Sequence, residues 1–351
     1  MSPTTPEPMA RSGVLLTRAD LHAHTRASSR GATGWLDALG VAESYAEPER
    51  VHNLARARGM DLVAITDHDT IDGAMVLVER GMPGVIVGEE VTTRLPDEGR
   101  TLHVLVWLIT PADHEEIGRL GLRDDAVALA HWIRQKRLPH ALAHPLFDIS
   151  GGLGRATLRR CLRLFGGIEA INAGHATARH RAALARFLED IDAERTAQTV
   201  AYGGEPALWP RRWLTAGSDD HALRTLGRAW TAAPGSGHTP ESFFRAVMAG
   251  EGLVGGRDAS TTTLAHQFLS VAGGFARAGD APAGADGRAR RWARAVLTRA
   301  PGMRRVLDAA CDPTADADAD RRRLERASRK AMAHSLAGLS AWLSGRLDRG
   351  S

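Results

Sequence analysis

Histidines and carboxylates recur in this sequence directly after short apolar runs, and both residue types bind metal ions. The first pair, His22 and His24, follows the apolar run that begins at residue 14. Residues at i and i+2 of a strand point to the same face, so both imidazoles can reach one ion. Asp219 and His221 repeat this spacing after a later apolar run. The pattern predicts a metal site with mixed nitrogen and oxygen ligands.

Further motifs add candidates at the ends of other apolar runs. They are Thr66-Asp67-His68-Asp69, Gly88-Glu89-Glu90, His103, His144-Pro145 and the polar pair around Glu169 and Asn172. Buried charges are costly without partners, so a metal ion or tight pairing is expected. A nitrogen and oxygen ligand set suits Zn, Mn or Fe, and the number of ligands predicts two or three ions.

The elements that must position these residues are predicted strands alternating with amphipathic helices. The strands cover residues 14–16, 62–66, 85–87, 102–109, 141–143, 168–171 and 214–216, and the helices include 48–58, 124–137, 155–165 and 178–190. Such alternation predicts an α/β fold with a mainly parallel sheet, open or closed into a barrel. Chemistry in such sheets lies beyond the carboxyl ends of the strands, where the metal-type residues are found.

The bulk composition favours a globular enzyme, because the 43% hydrophobic and 25% charged shares are ordinary. We expect a flexible lead at 1–13, a catalytic domain at 14–256, a linker at 257–289 and a helical extension at 290–351. The last 71 residues carry a net charge of +7, which suits a solvated helical surface or an anionic partner. Nothing in the catalytic domain itself points to nucleic acid. Two cysteines without a CxxC motif, no signal-like segment and no apolar run of ~18 residues predict a cytoplasmic protein.

The ordered motifs resemble those of the PHP (polymerase and histidinol phosphatase) superfamily over roughly residues 14–256. The resemblance implies a distorted (β/α)7 barrel followed here by the helical extension. It implies a first ion held by His22, His24, Glu90 and Asp219. It also implies a second ion held by Glu90, His103 and His144, and a third held by His68 and His221. Asp20, Asp67 and Glu169 would orient the ligating imidazoles from behind.

One departure from the family pattern affects the third ion. Relatives place an Asp or a His five or six residues after the second histidine, where this chain has Ser29 and Arg30. The third ion is therefore expected to be weak, absent or held through water, with Asp37 as a speculative substitute. Arg26, Arg30 and Arg94 are weak candidates for phosphate binding, and a solvated surface role suits each equally well.

These residues predict hydrolysis of a phosphoester by a metal-bound hydroxide, with His68, His221 and Asp219 as catalytic residues. A nucleotide, a sugar phosphate or a short oligonucleotide would each serve as the small phosphorylated substrate. One alternative is a metal-dependent amidase or lactonase, which often uses a carboxylated lysine. Lys136 and Lys330 lie at no convincing strand end. The other alternative is a catalytically silent metal-binding scaffold.

Overall fold

The computed structural model describes residues 15–28, 42–146, 153–198, 208–209 and 211–277. Nine strands in these ranges form one sheet: β1 (Leu16–Asp20), β2 (Leu62–Ile65), β3 (Val85–Leu95), β4 (Arg100–Trp107), β5 (His140–Leu142), β6 (Gly167–Asn172), β7 (Trp213–Gly217), β8 (Ala229–Pro234) and β9 (Leu253–Gly256). The α-helices described are α1 (Pro48–Ala57), α2 (Asp72–Glu79), α3 (Pro111–Arg119), α4 (Ala126–Lys136), α5 (Arg155–Leu164), α6 (Ala178–Gln198), α7 (Pro240–Ala246) and α8 (Thr261–Arg277). All seven predicted strands overlap β1–β7, whereas β8 and β9 were not predicted.

Strand direction in the sheet differs from the mainly parallel arrangement that the sequence predicted. The strand order is β7-β6-β5-β4-β3-β2-β1-β8-β9. Strand β4 runs antiparallel to both β3 and β5, and β8 runs antiparallel to β1 and β9. The reason is the short turn between β3 and β4, where the Gly99 N–H donates to the Leu95 carbonyl at 2.9 Å. A turn this short joins only antiparallel neighbours.

The sheet curls until its β7 edge meets β1 and β8. The Asp219 N–H donates to the His22 carbonyl at 2.7 Å, and the His24 N–H donates to the Asp220 carbonyl at 3.1 Å. The Ala216 N–H donates to the Thr231 hydroxyl at 2.9 Å. The predicted α/β barrel class is thus confirmed as a nearly closed, mixed sheet. Its nine strands do not follow a simple (β/α)7 count.

Aromatic residues fill the barrel at the amino ends of its parallel strands. The rings of Trp107 and Phe244 stack with centroids 5.0 Å apart, and both side chains are fully buried. The Trp107 indole N–H donates to the Leu21 carbonyl at 2.9 Å, which satisfies its polar atom. Truncating either ring to alanine would cost about 3–5 kcal/mol. The opposite end of the barrel is left for polar residues.

A second core lies between the sheet and the helices that cover it. Val104 on β4 packs there with Leu129 and Ile133 of α4 and with Phe165 after α5. Alternation along β4 explains both cores, because Leu105 and Trp107 face the barrel interior while Val104 and Val106 face the helices. Cys161 of α5 is buried in this layer, and burial raises the pKa of its thiol to about 12.

Helix α8 corrects the predicted linker at 257–289. The sequence does contain apolar residues at helical spacing, Leu264, Phe268 and Val271, but the Gly- and Ala-rich composition that follows them obscured this pattern. The predicted lead at 1–13 and the extension at 290–351 lie outside the described residues. Within the part of the chain that the structure describes, no helix is long and apolar enough to cross a membrane.

Candidate metal centre

The structure brings all the ligand candidates of the sequence together at the carboxyl end of the barrel. The residues are His22, His24, His68, Glu90, His103, His144, Asp219 and His221. Most follow directly after a parallel strand, as expected. Two do not: Glu90 lies in the middle of the long β3, and His103 lies near the start of the antiparallel β4. The reversed direction of β4 places its early residues at the same end of the barrel as the ends of its neighbours.

Four buried side chains form the first group: His22, His24, Glu90 and Asp219. The two Nε2 atoms lie 3.0 Å apart. They lie 2.8 and 3.1 Å from Glu90 Oε2 and 3.5 and 3.4 Å from Asp219 Oδ1. A tetrahedral ion with ligands at about 2.0–2.2 Å has ligand-to-ligand edges of about 3.3–3.6 Å. The two distances to Asp219 fall in this range and the other three are shorter, so the four side chains converge on a space close in size to that of one divalent ion.

The second group shares Glu90, whose other oxygen faces two more imidazoles. Glu90 Oε1 lies 3.1 Å from His103 Nδ1 and 3.1 Å from His144 Nε2. His103 Nδ1 is buried and has no hydrogen-bond partner. Buried polar atoms are nearly always satisfied, and an unpaired imidazole nitrogen facing a carboxylate is what a bound cation would satisfy. Glu90 thus presents one oxygen to the first group and its other oxygen to the second group.

The alternation of side chains along β3 determines which of Glu89 and Glu90 faces the centre. Glu89 faces the helices, where it accepts hydrogen bonds from Arg123 at 2.5 Å and from His114 at 2.6 Å. Its charge is already compensated there. The structure therefore agrees with the choice of Glu90 from the Gly-x-Glu spacing.

The third group contains His24, which is shared with the first group, together with His68, His221 and Glu43, a residue that the sequence did not predict. His68 Nε2 lies 3.0 Å from Glu43 Oε2, and His221 Nε2 lies 3.8 Å from Glu43 Oε1. His221 Nδ1 donates to the Asp219 carbonyl at 3.2 Å, which leaves the lone pair of its Nε2 facing Glu43. Ser29, Arg30 and Asp37 lie outside the described residues.

Burial and charge give these groups different protonation states. Burial alone opposes ionisation of Glu90 and Asp219, but the imidazoles around them hold both pKa values well below their ordinary range. Burial holds the pKa values of His68 and His221 well below that of free histidine, so both rings are neutral. Burial opposes protonation of His24, yet hydrogen bonds to the carboxylates of Asp219 and Glu90 raise the pKa of its imidazole to about 10. The centre thus attracts a cation, either a proton or a metal ion.

Two of the ligand candidates have a left-handed backbone. The φ angles are 27° at His144 and 47° at Asp219. Such residues cost on the order of 1–3 kcal/mol each and concentrate at functional sites. His144 lies two residues beyond the end of β5 and precedes Pro145, and its Nε2 lies 3.1 Å from Glu90 Oε1.

Glu169 contacts one residue of the first group and one residue of the second group. Its Oε1 accepts from His22 Nδ1 at 2.9 Å, which fixes the tautomer whose Nε2 faces the first group. Its Oε2 accepts from the His144 N–H at 2.8 Å and from Asn172 at 2.9 Å. One side chain thus positions a residue of the first group and a residue of the second.

The hydrogen bonds described for Asp20 and Asp67, which were predicted to have the same role, go to backbone groups and a hydroxyl rather than to imidazole nitrogens. Asp20 accepts from the backbone N–H groups of Ser218 and Gly227 at 2.9 and 2.8 Å. Asp67 accepts from the N–H and hydroxyl of Thr25 at 2.5 and 2.7 Å. Both hold the backbone segments that carry the ligands, a role that the sequence pattern does not distinguish from ring orientation.

Two of the three arginines predicted to bind phosphate, Arg26 and Arg94, make no contact with the centre among the contacts described. Arg26 pairs with Glu47 at 2.6 Å, and both side chains are exposed. Arg94 is exposed near the end of β3. Arg30 lies outside the described residues.

Two further residues at the centre were missed by sequence reasoning. His175 Nδ1 lies 2.6 Å from Asp219 Oδ2, and the His175 N–H donates to Asn172 at 2.8 Å. Gln267 of α8 accepts from the His221 N–H at 3.0 Å and donates to the Asp219 carbonyl at 3.3 Å. In the sequence, the polar residues at the end of β6 gave a weak indication of His175, and no feature indicated Gln267.

Comparisons with known proteins find a family match and a curated relative. Residues 214–251, which contain Asp219 and His221, match the family described as PHP-associated. An uncharacterized protein of Methanocaldococcus jannaschii is 38% identical over 80 residues, which is 22% of this chain and 44% of the relative. The match thus spans less than half of that relative.

Two solved structures also resemble the chain. One is a two-domain protein from Bacteroides vulgatus that contains a predicted PHP-like metal-dependent phosphoesterase. Its identity is 13%, with 73% of this chain and 70% of that chain covered and a TM-score of 0.46. The other is a lesion-specific endonuclease from Pyrococcus furiosus, with 13% identity, coverage of 68% and 58%, and a TM-score of 0.41.

The fold and the centre define a mixed α/β barrel with a His/Asp/Glu cluster of the kind that binds divalent cations. The PHP-associated match over residues 214–251 supports the resemblance to the PHP superfamily that the ordered motifs carry.

Proposed function

We propose that this protein is a metal-dependent phosphoesterase that hydrolyses a small phosphorylated substrate at the centre described above. One observation carries the proposal: Glu90 presents one oxygen to His22 and His24 and its other oxygen to His103 and His144. A carboxylate shared in this way would hold two ions close together, the arrangement typical of phosphoester hydrolysis.

When bound, divalent ions lower the pKa of water towards ~7 and neutralise charge on the phosphate oxygens. His22, His24, Glu90 and Asp219 would hold the first ion, and Glu90, His103 and His144 the second. Zn, Mn and Fe suit this ligand set. Glu169 keeps His22 in its ligating tautomer.

The partly exposed residues define where substrate would enter. The side chains of His103, His144 and His175 are 29%, 13% and 24% exposed, whereas those of His22 and Asp219 are 0% and 2% exposed. The deep residues would therefore hold the ions away from bulk water. The phosphate would approach from the side lined by the exposed imidazoles.

The amidase or lactonase alternative receives no support from the lysine that the structure describes. Lys136 Nζ lies 2.8 Å from Asp113 and 2.7 Å from Glu116, on the α3 and α4 surface. Glu90 would supply the bridging carboxylate in the centre instead.

The proposal is tested by phosphate release from Mn- or Zn-loaded protein. The panel contains nucleoside mono- and bisphosphates, sugar phosphates and a short oligonucleotide. His144→Ala and Asp219→Ala should each abolish release, while His131→Ala, an exposed histidine on α4, should leave it unchanged. Metal-loaded protein that cleaves esters or amides but no phosphoester would refute the proposal. Protein that binds no metal would favour the silent scaffold.

A further inference from the structure

A carboxylate from outside the strand-end motifs enters the centre. Glu43 precedes α1, and its side chain is 10% exposed. Its two oxygens face different imidazoles, with Oε2 3.0 Å from His68 Nε2 and Oε1 3.8 Å from His221 Nε2. No lysine or arginine lies among the contacts described for this side chain, so the two imidazoles are its nearest polar partners together with Ser28.

The position of Glu43 is fixed by Ser28 of the first histidine motif. The Glu43 N–H donates to the Ser28 carbonyl at 3.3 Å. The Ser28 hydroxyl accepts from the His68 N–H at 3.0 Å, lies 3.2 Å from His24 Nδ1, and donates to Glu43 Oε2 at 3.5 Å. One hydroxyl thus joins the segment of Glu43 to two of the ligand-bearing segments. The carboxylate is held in place by this network rather than being a mobile surface group.

The imidazoles offer lone pairs to this position. His221 donates its Nδ1 proton to the Asp219 carbonyl, so its Nε2 is free to accept a cation. A buried carboxylate with no lysine or arginine among its described contacts is unfavourable unless a cation compensates it. Two imidazole nitrogens and one carboxylate oxygen form the ligand set of an open three-ligand site for a divalent ion.

We propose that Glu43 is the carboxylate ligand of a third divalent-cation position, formed with His68 and His221. This inference rests on the proposed function of the neighbouring centre. It makes Glu43 the substitute for the residues that the motif pattern led us to expect at positions 29 and 30. The carboxylate comes from about 20 residues beyond the second histidine, so spacing alone cannot identify it.

Metal content tests the inference without relying on activity. The protein is stripped with a chelator, reloaded with Mn²⁺ or Zn²⁺, dialysed, and analysed by inductively coupled plasma mass spectrometry. We expect about three equivalents per wild-type chain and about two in Glu43→Gln, because the amide is a poor ligand for these ions. Glu47→Gln is the matched control, since Glu47 is a 52% exposed carboxylate paired with Arg26 nearby. It should retain all equivalents.

The outcomes separate this inference from the proposed function. Two equivalents in the wild type, or an unchanged content in Glu43→Gln, would overturn the third position and leave the phosphoesterase proposal standing. No bound metal in the wild type would overturn both. The melting temperature in the presence of chelator shows whether Glu43→Gln folds. If it does not, Glu43→Asp keeps the charge, and we expect a shorter reach to weaken the third equivalent at least about tenfold.

Discussion

Replacing Glu169 by glutamine tests whether the support behind the ligands sets metal affinity. Glu169 accepts three hydrogen bonds, from His22 Nδ1, the His144 N–H and Asn172. A glutamine that keeps its oxygen on the His144 side turns its NH₂ group towards His22. His22 would then accept at Nδ1 and carry its proton on Nε2, where a metal ion cannot bind.

The expected magnitude follows from one lost hydrogen bond to a charged group. Such a bond is worth about 1.5–3 kcal/mol, equivalent to about 10–150-fold in a dissociation constant. Measured losses for residues behind metal ligands are about 10–100-fold. We therefore expect Glu169→Gln to weaken Zn²⁺ binding by about 10–100-fold.

Competition with a chromophoric chelator measures this affinity. Glu79→Gln serves as the control, because Glu79 is exposed on α2. Its dissociation constant should match that of the wild type. An affinity of Glu169→Gln within about threefold of the wild type would show that the Glu169–His22 contact does not select the tautomer.

Three further predictions concern stability. Gly217→Ala would place a Cβ 2.3 Å from His22 Cβ, so chemical denaturation should show a free energy of unfolding lower by about 1–3 kcal/mol or more. The control Gly154→Ala has no atom within 4 Å of its new Cβ and should change this free energy little, and equal losses in the two variants would contradict the steric argument. Burial lowers the pKa of His140 to about 4 from 6.5, so the unfolded chain binds its proton first as the pH falls. Stability should thus be lost between pH 6.5 and 4 by about 3 kcal/mol, and His140→Gln should remove that part of the slope in denaturation at several pH values. Chelation should lower the melting temperature by on the order of 5 °C, because it leaves the buried carboxylates uncompensated; a temperature unchanged by chelator would indicate a centre that folds without metal.

Part of the fold could be predicted from the sequence. Apolar runs located β1–β7, because burial in a sheet demands continuous or alternating apolar residues. Apolar runs do not show in which direction a strand runs in the sheet, so the antiparallel orientation of β4 was not predicted. The strands β8 and β9 were not predicted either. Direction depends on whether the connection is a tight turn or a crossover, and that is settled by packing.

The sequence by itself determined the candidate ligand types and most of their positions, because His22, His24, Glu90, His144, Asp219 and His221 stand after predicted strands or at i, i+2 spacing. Only the tertiary structure decided that each oxygen of Glu90 faces a different pair of imidazoles. It also decided that Glu43, from a segment without any ligand motif, lies beside His68. The physical reason is that local spacing fixes which face a side chain occupies. The distances between separate elements depend on sheet closure and on hydrogen bonds such as those of Ser28 and Glu169.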